Sequence, residues 1–531
     1  MLRSCVAIAV LVVLTGSAEA AKDWYKNSLV YQIYPRSFQD SNGDGIGDLN
    51  GITSRLEHIQ DIGADALWMS PIFSSPQVDY GYDVSNYTNI HKEYGTLEDF
   101  DALVAKAKSL GLKVILDFVP NVFGGPAWTK NEKRGQYYMH QFAAGQPEFN
   151  YHNAELREEM KNVLTFWMKR GVEGFRIDTI NHMYEDSRFL DEPRSNKDVP
   201  PDDYDYLDHI YTKNLPETYD VLATWRELMD SHSPTADTKM FLTEVYADLD
   251  LTMKYYLSGS TVPFNFMFIV DLNDKSSASD FKYHIDRWMK NMPNSTEYVA
   301  NWVVGNHDNH RAATRFGEKR ADQLNMLATI LPGVSVFYNG DEIGMVDRYF
   351  TYEETKDTAG CNAGPDRYQL KSRDPERTPY QWDATTSAGF STNEQTWLPV
   401  NGNYKDLNLA AQKDEQVSHY NVFKALTKLK KTPVIAQGSL QTALYCYECS
   451  VTENVLGVVR RHERSIVLLL VNFDDTDGVV DVSTWLNISE KLIVYAASVD
   501  SKLLPGSYQN MAPVVLPGSA SIVYTTEDLY N

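Results

Sequence analysis

The stretch KVILDFVP, residues 113 to 120, is an apolar run that ends in an acidic residue and a proline. A segment with helical periodicity, LEDFDALVAKAKSLG (97 to 111), precedes it, and a second, ELREEMKNVLTFWMKRG (155 to 171), follows it. The second ends at Gly171, as a helix should. Short β-rich runs that alternate with helical segments are typical of a parallel sheet with crossover helices. This stretch therefore predicts one strand of an α/β protein.

The same alternation of β-rich and helical segments continues along most of the chain. The candidate strands are residues 29 to 38, 65 to 71, 113 to 120, 173 to 178, 241 to 247, 264 to 272, 302 to 308 and 334 to 340. Strands and helices in this number predict a TIM (β/α)8 barrel, in which catalytic side chains lie at the C-terminal ends of the strands. Two later apolar runs, 465 to 473 and 491 to 497, predict a C-terminal antiparallel β domain.

The N-terminus has the features of a secretory leader. It combines one basic residue, Arg3, with an apolar run and a small-residue site at Ala18-Glu19-Ala20, which predicts a cleavable signal peptide over residues 1 to 20. No later stretch is long and apolar enough to span a bilayer. We therefore expect a secreted, extracellular protein without a transmembrane anchor.

Cysteines, glycosylation sequons and charge further limit the class of protein. Apart from Cys5 in the leader, the chain has Cys361, Cys446 and Cys449, an odd number that allows one disulfide and leaves the pairing open. The net charge of −23 argues against nucleic acid or an anionic membrane as a partner, and it leaves a neutral substrate open. Sequons that predict surface glycans in a eukaryotic secretory pathway begin at Asn86, Asn294 and Asn487.

The barrel prediction selects acidic residues at the ends of four different candidate strands. A single carboxylate there is more often a helix cap or turn former, but four on separate strands indicate one site. Arg176 would keep the neighbouring Asp178 ionised, as a nucleophile requires, whereas Glu244 in a more apolar setting would hold a proton. Such a pair is the machinery of glycoside hydrolysis, and a nucleophilic carboxylate predicts a retaining, two-step route. The four residues are Asp117, Asp178, Glu244 and Asp308.

Four short blocks carry a family resemblance. GFRIDTINH (174 to 182), TEVY (243 to 246) and GNHDNHR (305 to 311) resemble the conserved blocks of the alpha-amylase-type glycoside hydrolases. DFVPN (117 to 121) matches that family's block after the third strand. The order and spacing of the blocks agree, and the similarity runs from about Trp24 to the C-terminus.

Two further blocks narrow the resemblance. RTPYQWD (377 to 383) makes the chain most similar to secreted insect maltases, which are alpha-glucosidases. QPEFN (146 to 150) resembles the QPDLN block of the oligo-1,6-glucosidase and alpha-glucosidase branch, with Glu148 and Phe149 as departures.

The resemblance implies a role for each residue of the acidic cluster. Asp178 would be the nucleophile and Glu244 the general acid/base. Asp308 would stabilise the oxocarbenium-like transition state, Arg176 would hold Asp178 charged, and Asp117 would order the cluster.

The resemblance also implies a set of substrate-binding residues. Asp79 and Tyr82 would bind and stack on the non-reducing glucose, and His307 and Arg311 would bind its hydroxyls or pair with neighbouring carboxylates. Thr179, directly after the nucleophile, is the residue of maltose-preferring members, where isomaltose-preferring ones tend to have Val. This favours alpha-1,4 linkages.

DSNGDGIGD (40 to 48) begins like a calcium loop, with oxygen-bearing side chains at alternating positions. Gly51 at position twelve excludes an EF-hand. The family places a structural calcium in such a loop, and a plain Asp/Asn/Gly turn is the alternative. No organic cofactor is expected. The calcium ligands would be Asp40, Asn42, Asp44, the Ile46 carbonyl and Asp48.

The chain departs from the family just after the third candidate strand. In the family, the position of Asn121 is followed by a His that contacts the glucose and then by several dozen residues of an inserted domain. Here Val122 follows, and VFGGPAW (122 to 128) resembles the far end of that insert. The wall that the insert gives the pocket is therefore reduced. The predicted domains are the signal peptide (1 to 20), the barrel (21 to 120 and 153 to 430), the shortened insert (121 to 152) and the β domain (431 to 531).

The predicted function is that of a secreted alpha-glucosidase, or maltase. It would release terminal non-reducing alpha-1,4-linked glucose from maltose and short oligosaccharides in carbohydrate digestion, with the oligomeric state open. One alternative is a catalytically impaired or inactive homologue that binds carbohydrate or acts as a receptor; another is a gene-model artefact at the shortened segment. Non-catalytic relatives tend to lose the catalytic carboxylates and carry a membrane helix, so Asp178, Glu244 and Asp308 favour the enzyme.

Overall fold

The structure is a computed structural model of the chain. It describes residues 24–120, 128–141, 147–201, 203–233, 237–445, 454–486, 491–509, 513–526 and 529. The predictions that fall outside the described residues concern the leader, Asn121, Val122, Cys446, Cys449 and Asn487.

Eight parallel strands form the central sheet, and they confirm the predicted (β/α)8 barrel. Numbered along the chain, their hydrogen-bonded order is 6-5-4-3-2-1-8-7. The barrel strands are Leu29–Ile33, Ala66–Met69, Lys113–Phe118, Gly174–Ile177, Met240–Thr243, Val262–Pro263, Asn301–Val303 and Val334–Tyr338.

The sixth and seventh barrel strands are joined by a side chain. Asn301 on the seventh strand donates from Nδ2 to the carbonyl of Pro263 on the sixth, at 2.6 Å. Its Oδ1 accepts a hydrogen bond from the backbone N–H of Asn265, at 2.7 Å. Because Asn301 is fully buried, these bonds satisfy backbone groups that water cannot reach, and they bring the two ends of the sheet together.

Helices follow the strands and cover the outside of the barrel. Two of them begin with a capping box: Thr96 with Asp99, and Ser277 with Asp280. The longer helices are Leu97–Ser109, Ala154–Lys169, Glu217–Ser231, Leu249–Leu257, Ala278–Asn291, Ala321–Ile330 and His419–Lys430. Shorter helices are Pro35–Phe38, Leu49–Ser54, Leu56–Asp61, Met267–Val270, Ala312–Phe316, Thr358–Ala363, Leu409–Asp414, Pro433–Ala436 and Ser483–Leu486.

The barrel core follows from the two-residue period of a strand. On the first strand, Val30 belongs to the inner cluster of apolar side chains, whereas Leu29 and Tyr31 belong to the layer between sheet and helices. The inner cluster also holds Trp68 and Ile115, so the barrel is packed and not open. Each large apolar side chain contributes roughly 1.5–3 kcal/mol to the free energy of folding when it is buried. The packed interior therefore stabilises the strands whose ends carry the site.

The predicted sixth strand is wrong, and the predicted first strand is too long. The sixth barrel strand is Val262–Pro263, directly before the predicted run of 264 to 272, and Met267–Val270 within that run is helical. The run is apolar except for Asn265 and Asp271, and periodicity cannot separate such a strand from a buried helix. The first strand ends at Ile33, because Pro35–Phe38 forms a helical turn with proline at its favoured first position.

The C-terminal residues form the predicted antiparallel sheet. Arg460 attaches it to the barrel: its buried guanidinium donates to the carbonyls of Ile330, Ile435 and Gly438. The strands, in sheet order, are Ser439–Tyr445, Val455–His462, Ser465–Asn472, Ser521–Thr525, Leu492–Ala497 and Tyr508–Gln509. A separate pair is Gly478–Val480 with Val514–Leu516.

Two short hairpins lie after the second and third barrel strands. One pairs Phe73–Ser74 with Asn86–Ile90, and the other pairs Trp128–Asn131 with Gln136–Met139. The sequon residues Asn86 and Asn294 are both exposed. Across the described residues, the helices all fall short of the length and apolarity that crossing a membrane requires.

Candidate active site

Three carboxylates meet at the C-terminal end of the barrel, as the fold requires of residues at these strand ends. Asp117 lies in the third strand, Asp178 directly follows the fourth, and Glu244 directly follows the fifth. All three are buried, with exposed fractions of 1%, 3% and 2%. Asp308 was predicted at a strand end, but it lies in the loop five residues beyond Val303, because the seventh strand is short.

Arg176 joins these three carboxylates. It lies two residues before Asp178 and so points to the same face of the fourth strand. Its Nη1 donates to both oxygens of Asp117, at 2.8 and 2.9 Å, and to Oδ1 of Asp178, at 2.7 Å. Its Nη2 lies 2.5 Å from Oε2 of Glu244. The guanidinium thus fixes the relative positions of the predicted nucleophile and the predicted acid.

Thr179 links the same two carboxylates through its backbone and side chain. Its N–H donates to Oε2 of Glu244 at 3.0 Å, and its hydroxyl donates to Oδ2 of Asp178 at 3.3 Å. The residue has φ 37° and ψ 42°, the left-handed conformation, which is costly for a β-branched side chain. Strain of about 1–3 kcal/mol is typical of functional sites, and here it turns the N–H towards Glu244.

The charges of the cluster do not balance when all its carboxylates are ionised. Burial raises the pKa of Asp178 well above its usual range, and the neighbouring Glu244 and Asp117 raise it further, against the opposing effect of Arg176. Burial also raises the pKa of Asp117 to about 6, although Arg176 opposes this. One guanidinium cannot neutralise three buried carboxylates, so burial and the neighbouring negative charges favour the protonated form of Asp178.

A chain of hydrogen bonds supports Asp117 from behind. The Gln32 side-chain N–H donates to Nδ1 of His307 at 2.7 Å, and Nε2 of that ring lies 2.5 Å from the Tyr82 hydroxyl. The hydroxyl in turn donates to Oδ2 of Asp117 at 3.1 Å. Burial lowers the pKa of His307 well below its usual range, so the ring is neutral and donates from Nε2 to the tyrosine.

Two arginines hold Asp308. Arg377 donates from Nη2 to its Oδ1 at 2.7 Å, and Arg373 donates from Nη1 to the same oxygen at 3.2 Å. Burial alone would raise the pKa of this carboxyl, but the nearby charges of Arg377 and Arg373 hold it well below its usual range. Asp308 therefore remains a full negative charge beside the cluster.

Arg373 also binds the carboxylate predicted to recognise the sugar. Its Nη2 donates to Oδ1 of Asp79 and to Oδ1 of Asp357, at 2.6 Å in each case. Burial raises the pKa of Asp79, and Arg373 opposes that rise. An ion-paired carboxylate next to Asp308 offers a charged acceptor for sugar hydroxyls.

These groups open onto one cavity of about 620 Å³, a volume suited to a small ligand. Residues from two other parts of the chain also line it: Tyr204, Lys213, Thr358, Ala359, Asn362, Leu370 and Lys371. Its chemical groups include Asp79, Tyr82, Asp178, Glu244, Asp308 and Arg373.

Comparison with known proteins agrees with this geometry. The family profile described as "Alpha amylase, catalytic domain" matches residues 32–122 and 120–438. The chain belongs to the alpha-amylase family. The two matched pieces of this family's profile meet at residues 120–122, where the sequence analysis places the shortened segment.

Individual members of the alpha-amylase family are similar over most of the chain. "Maltase 1" of Drosophila virilis is 43% identical over 90% of this chain and 83% of that protein. "Salivary alpha-glucosidase" of Anopheles gambiae is 43% identical over 78% of this chain and 79% of that protein. The crystal structure of the alpha-glucosyl transfer enzyme XgtA is 30% identical, with a TM-score of 0.81, and covers 95% of this chain and 99% of its own. The predicted family, fold and enzyme class are thus confirmed, and the chain is a glycoside hydrolase.

The structure brings most of the predicted site residues to this cavity, with three behind it and one elsewhere. Arg176, Asp117 and His307 are buried behind the cavity wall and contact the groups that form it. Arg311 lies elsewhere, because its guanidinium packs on the Tyr338 ring and donates to the Asn339 carbonyl. The roles assigned to these residues stay predictions.

Sequence reasoning missed three charged residues of this alpha-amylase-type site. Arg373, Arg377 and Asp357 come from the long segment after the eighth strand, which has little regular structure. Arg377 opens the block RTPYQWD, which indicates the similarity to insect maltases but was not predicted to contribute a site residue. A buried arginine needs hydrogen-bond acceptors, so Arg377, the basic residue of that block, was a usable signal.

The predicted calcium loop is held by its own hydrogen bonds in this structure. Asp40 accepts from the backbone N–H groups of Asn42, Gly43 and Gly45, and Asp48 caps the following helix at Gly51. The loop's donor set is all oxygen, which suits Ca²⁺, but its carboxylates do not form a metal-type cluster in the described part of the chain. Calcium binding stays a prediction.

Proposed function

We propose that the protein is a retaining alpha-glucosidase that releases glucose from the non-reducing end of short alpha-glucosides. One observation carries the mechanism: Asp178 and Glu244 bind the same Arg176 guanidinium, with oxygens 2.7 Å from its Nη1 and 2.5 Å from its Nη2. Inverting glycosidases separate their carboxyl groups by about 6.5–9.5 Å to admit a water, whereas retaining ones keep them closer. Two carboxylates held by one guanidinium are close together, which supports direct attack by a carboxylate.

In the first step, Asp178 attacks the anomeric carbon while Glu244 transfers its proton to the departing glycosidic oxygen. The C–O bond to the leaving sugar breaks, and a covalent glucosyl ester forms on Asp178. This step requires Asp178 ionised and Glu244 protonated, and Arg176 and the Thr179 hydroxyl stabilise the ionised Asp178. In the second step Glu244 takes a proton from water, and the water oxygen attacks the anomeric carbon. The bond from that carbon to Asp178 breaks, which releases glucose and the free carboxylate.

Asp308 and Asp79 supply the recognition of the sugar ring. Asp308 keeps its full charge beside the cluster, where positive charge develops on the ring in the transition state. Asp79 accepts hydrogen bonds from hydroxyls of the terminal glucose, held in place by Arg373. Together they favour binding of a chain end over binding along a polymer.

The linkage and the setting of the reaction are finer parts of the proposal. Thr179 at the position after the nucleophile supports alpha-1,4 linkages, as in maltose. The leader-like N-terminus, the exposed Asn86 and Asn294 sequons and the salivary relative support secretion as a glycoprotein. A structural calcium bound through Asn42 and Asp44, with their loop neighbours, belongs to the same proposal.

A covalent trap tests the assignment of the nucleophile. The purified protein is incubated with 5-fluoro-alpha-glucosyl fluoride, which forms a slowly hydrolysed glucosyl ester, and the labelled peptide is identified by mass spectrometry. We expect one label per chain on Asp178, and no label in Asp178→Asn. A label on another carboxylate, or none in the wild-type protein, would remove Asp178 from the mechanism.

A further inference from the structure

Three potential metal ligands meet outside the substrate cavity. His310 follows the seventh barrel strand, Asp347 lies in the loop after the eighth, and Glu376 lies in the later irregular segment. Nδ1 of His310 lies 2.8 Å from Oδ2 of Asp347 and 3.5 Å from Oε2 of Glu376. One ligand atom from each residue lies within 4.8 Å of the other two.

These spacings match those of a transition-metal site. Bonds of about 2.0–2.1 Å in a tetrahedral geometry set neighbouring ligand atoms roughly 3.3 Å apart. An imidazole nitrogen with two carboxylates is a donor set that Zn²⁺ accepts, with a water at the fourth position. The two carboxylates of Asp347 and Glu376 also supply the two negative charges that balance a divalent cation.

Glu376 gives an independent indication of a ligand. Its side chain is only 2% exposed, and its Oε2, which faces His310, accepts no hydrogen bond within the described residues. A buried carboxylate oxygen without a donor is costly, and a bound cation would satisfy it.

Asp347 and His310 are arranged to complete such a site. Oδ1 of Asp347 accepts the backbone N–H of Arg311 at 2.9 Å, which fixes the carboxylate and leaves Oδ2 directed at His310. Such outer contacts are what orient metal ligands in proteins. The His310 side chain is half exposed, so an ion can enter from solvent.

We propose that His310, Asp347 and Glu376 bind a divalent transition-metal ion of the Zn²⁺ class. The ion ties together the loop that carries Asp308, the loop after the eighth strand and the segment that carries Arg377. Since it binds the folded chain and not the unfolded one, it stabilises the fold. This site is separate from the substrate cavity and from the predicted calcium loop.

Zinc titration of the purified full-length chain tests the proposal. The protein is freed of transition metals, kept in calcium-containing buffer and titrated with ZnCl₂, with Tm and calorimetric binding as readouts. His310→Gln removes one ligand at a half-exposed position, so we expect it to fold. The matched control is His284→Gln, because His284 also faces a carboxylate, Asp271, at 3.4 Å.

We expect one zinc ion per wild-type chain and a rise in Tm on zinc addition. His310→Gln should weaken binding at least tenfold and abolish the Tm rise, whereas His284→Gln should behave like the wild type. Glu376→Gln should weaken zinc binding to a similar extent. If zinc changes neither binding heat nor Tm in the wild type, the three residues are an ordinary ion-pair cluster. The same conclusion follows if His310→Gln binds zinc and gains Tm as the wild type does.

Discussion

Arg373 donates from Nη2 to Oδ1 of Asp79 at 2.6 Å, although 294 positions separate them in the sequence. The same guanidinium binds Asp357 and Asp308, so one cation holds three carboxylates at the inner end of the cavity. Substrate recognition and charge balance therefore depend on a residue from an irregular segment.

Replacing Arg373 with Gln should impair both binding and stability. Asp79 and Asp357 would lose their partner while remaining partly or fully buried, which typically costs about 3 kcal/mol in the free energy of unfolding. We expect a raised KM for maltose and a lower denaturant midpoint. Arg373→Lys keeps the charge but not the planar set of donors, so its KM and denaturant midpoint should lie between those of the wild type and those of Arg373→Gln. An unchanged KM in Arg373→Gln would remove this residue from substrate recognition.

Asp178→Asn should abolish hydrolysis. An amide cannot form the glucosyl ester, so we expect kcat for maltose to fall by on the order of 10⁴-fold or more. The exposed Asp101, which pairs with Arg170 on the surface, offers the control substitution Asp101→Asn, which should leave kcat unchanged. Turnover close to that of the wild type in Asp178→Asn would contradict the assignment.

Asp178→Asn should also be more stable than the wild type at neutral pH. The pKa of Asp178 is raised in the folded protein, so the folded state binds a proton more tightly than the unfolded state does. Stability from this group is therefore greatest at acid pH and falls as pH rises from the ordinary aspartate pKa of about 3.9 through the folded value. Asparagine does not ionise, so Asp178→Asn does not lose stability in this way as the pH rises.

Thermal unfolding of Asp178→Asn and the wild type, measured from about pH 4 to about pH 8, checks the sign. The Tm difference should favour the variant at the neutral end and shrink towards the acid end. A difference that is constant with pH would mean that the charge of Asp178 is fully compensated in the fold.

Thr179→Val should shift linkage preference. It keeps the size of the side chain but removes the hydroxyl that donates to Asp178, while the backbone N–H to Glu244 remains. We expect the ratio of kcat/KM for isomaltose to that for maltose to rise about tenfold, at the low end of what one small group in a pocket changes in specificity. Thr179→Ser, which keeps the hydroxyl, is the control and should retain the preference for maltose.

Removal of calcium should lower thermal stability. If the loop at residues 40 to 48 binds Ca²⁺, an excess of ion at about 100 times Kd contributes about 2.7 kcal/mol to the free energy of unfolding. The Tm should fall with EGTA and recover when Ca²⁺ is restored. Asp44→Ala, at an exposed position, should remove that response; an identical Tm with and without chelator would mean a plain turn.

The barrel was predictable because its strands are short, apolar and separated by amphipathic helices. Strand ends were the weak point: the apolar run at 264 to 272 gave no periodicity that could separate strand from helix. The carboxylates Asp117, Asp178 and Glu244 were found because the barrel rule selects strand ends and because they lie in recognisable blocks.

The rest of the site depends on contacts that local sequence does not encode. Arg373 and Arg377 reach the acidic cluster from a segment whose path is set by tertiary packing. Nor could the sequence show that Gln32, His307 and Tyr82 form one hydrogen-bonded chain, since they come from three separate segments. Arg311 looked like a site residue because of its block, yet its side chain packs on Tyr338, away from the cavity.

The most direct test of the central claim is the anomer of glucose that the protein releases first. The purified chain is mixed with p-nitrophenyl alpha-glucoside, and the released glucose is followed by ¹H NMR before mutarotation proceeds. The account predicts that alpha-glucose appears first, as double displacement at Asp178 requires. Beta-glucose appearing first would contradict the retaining mechanism, and no glucose at all would contradict hydrolysis by this chain.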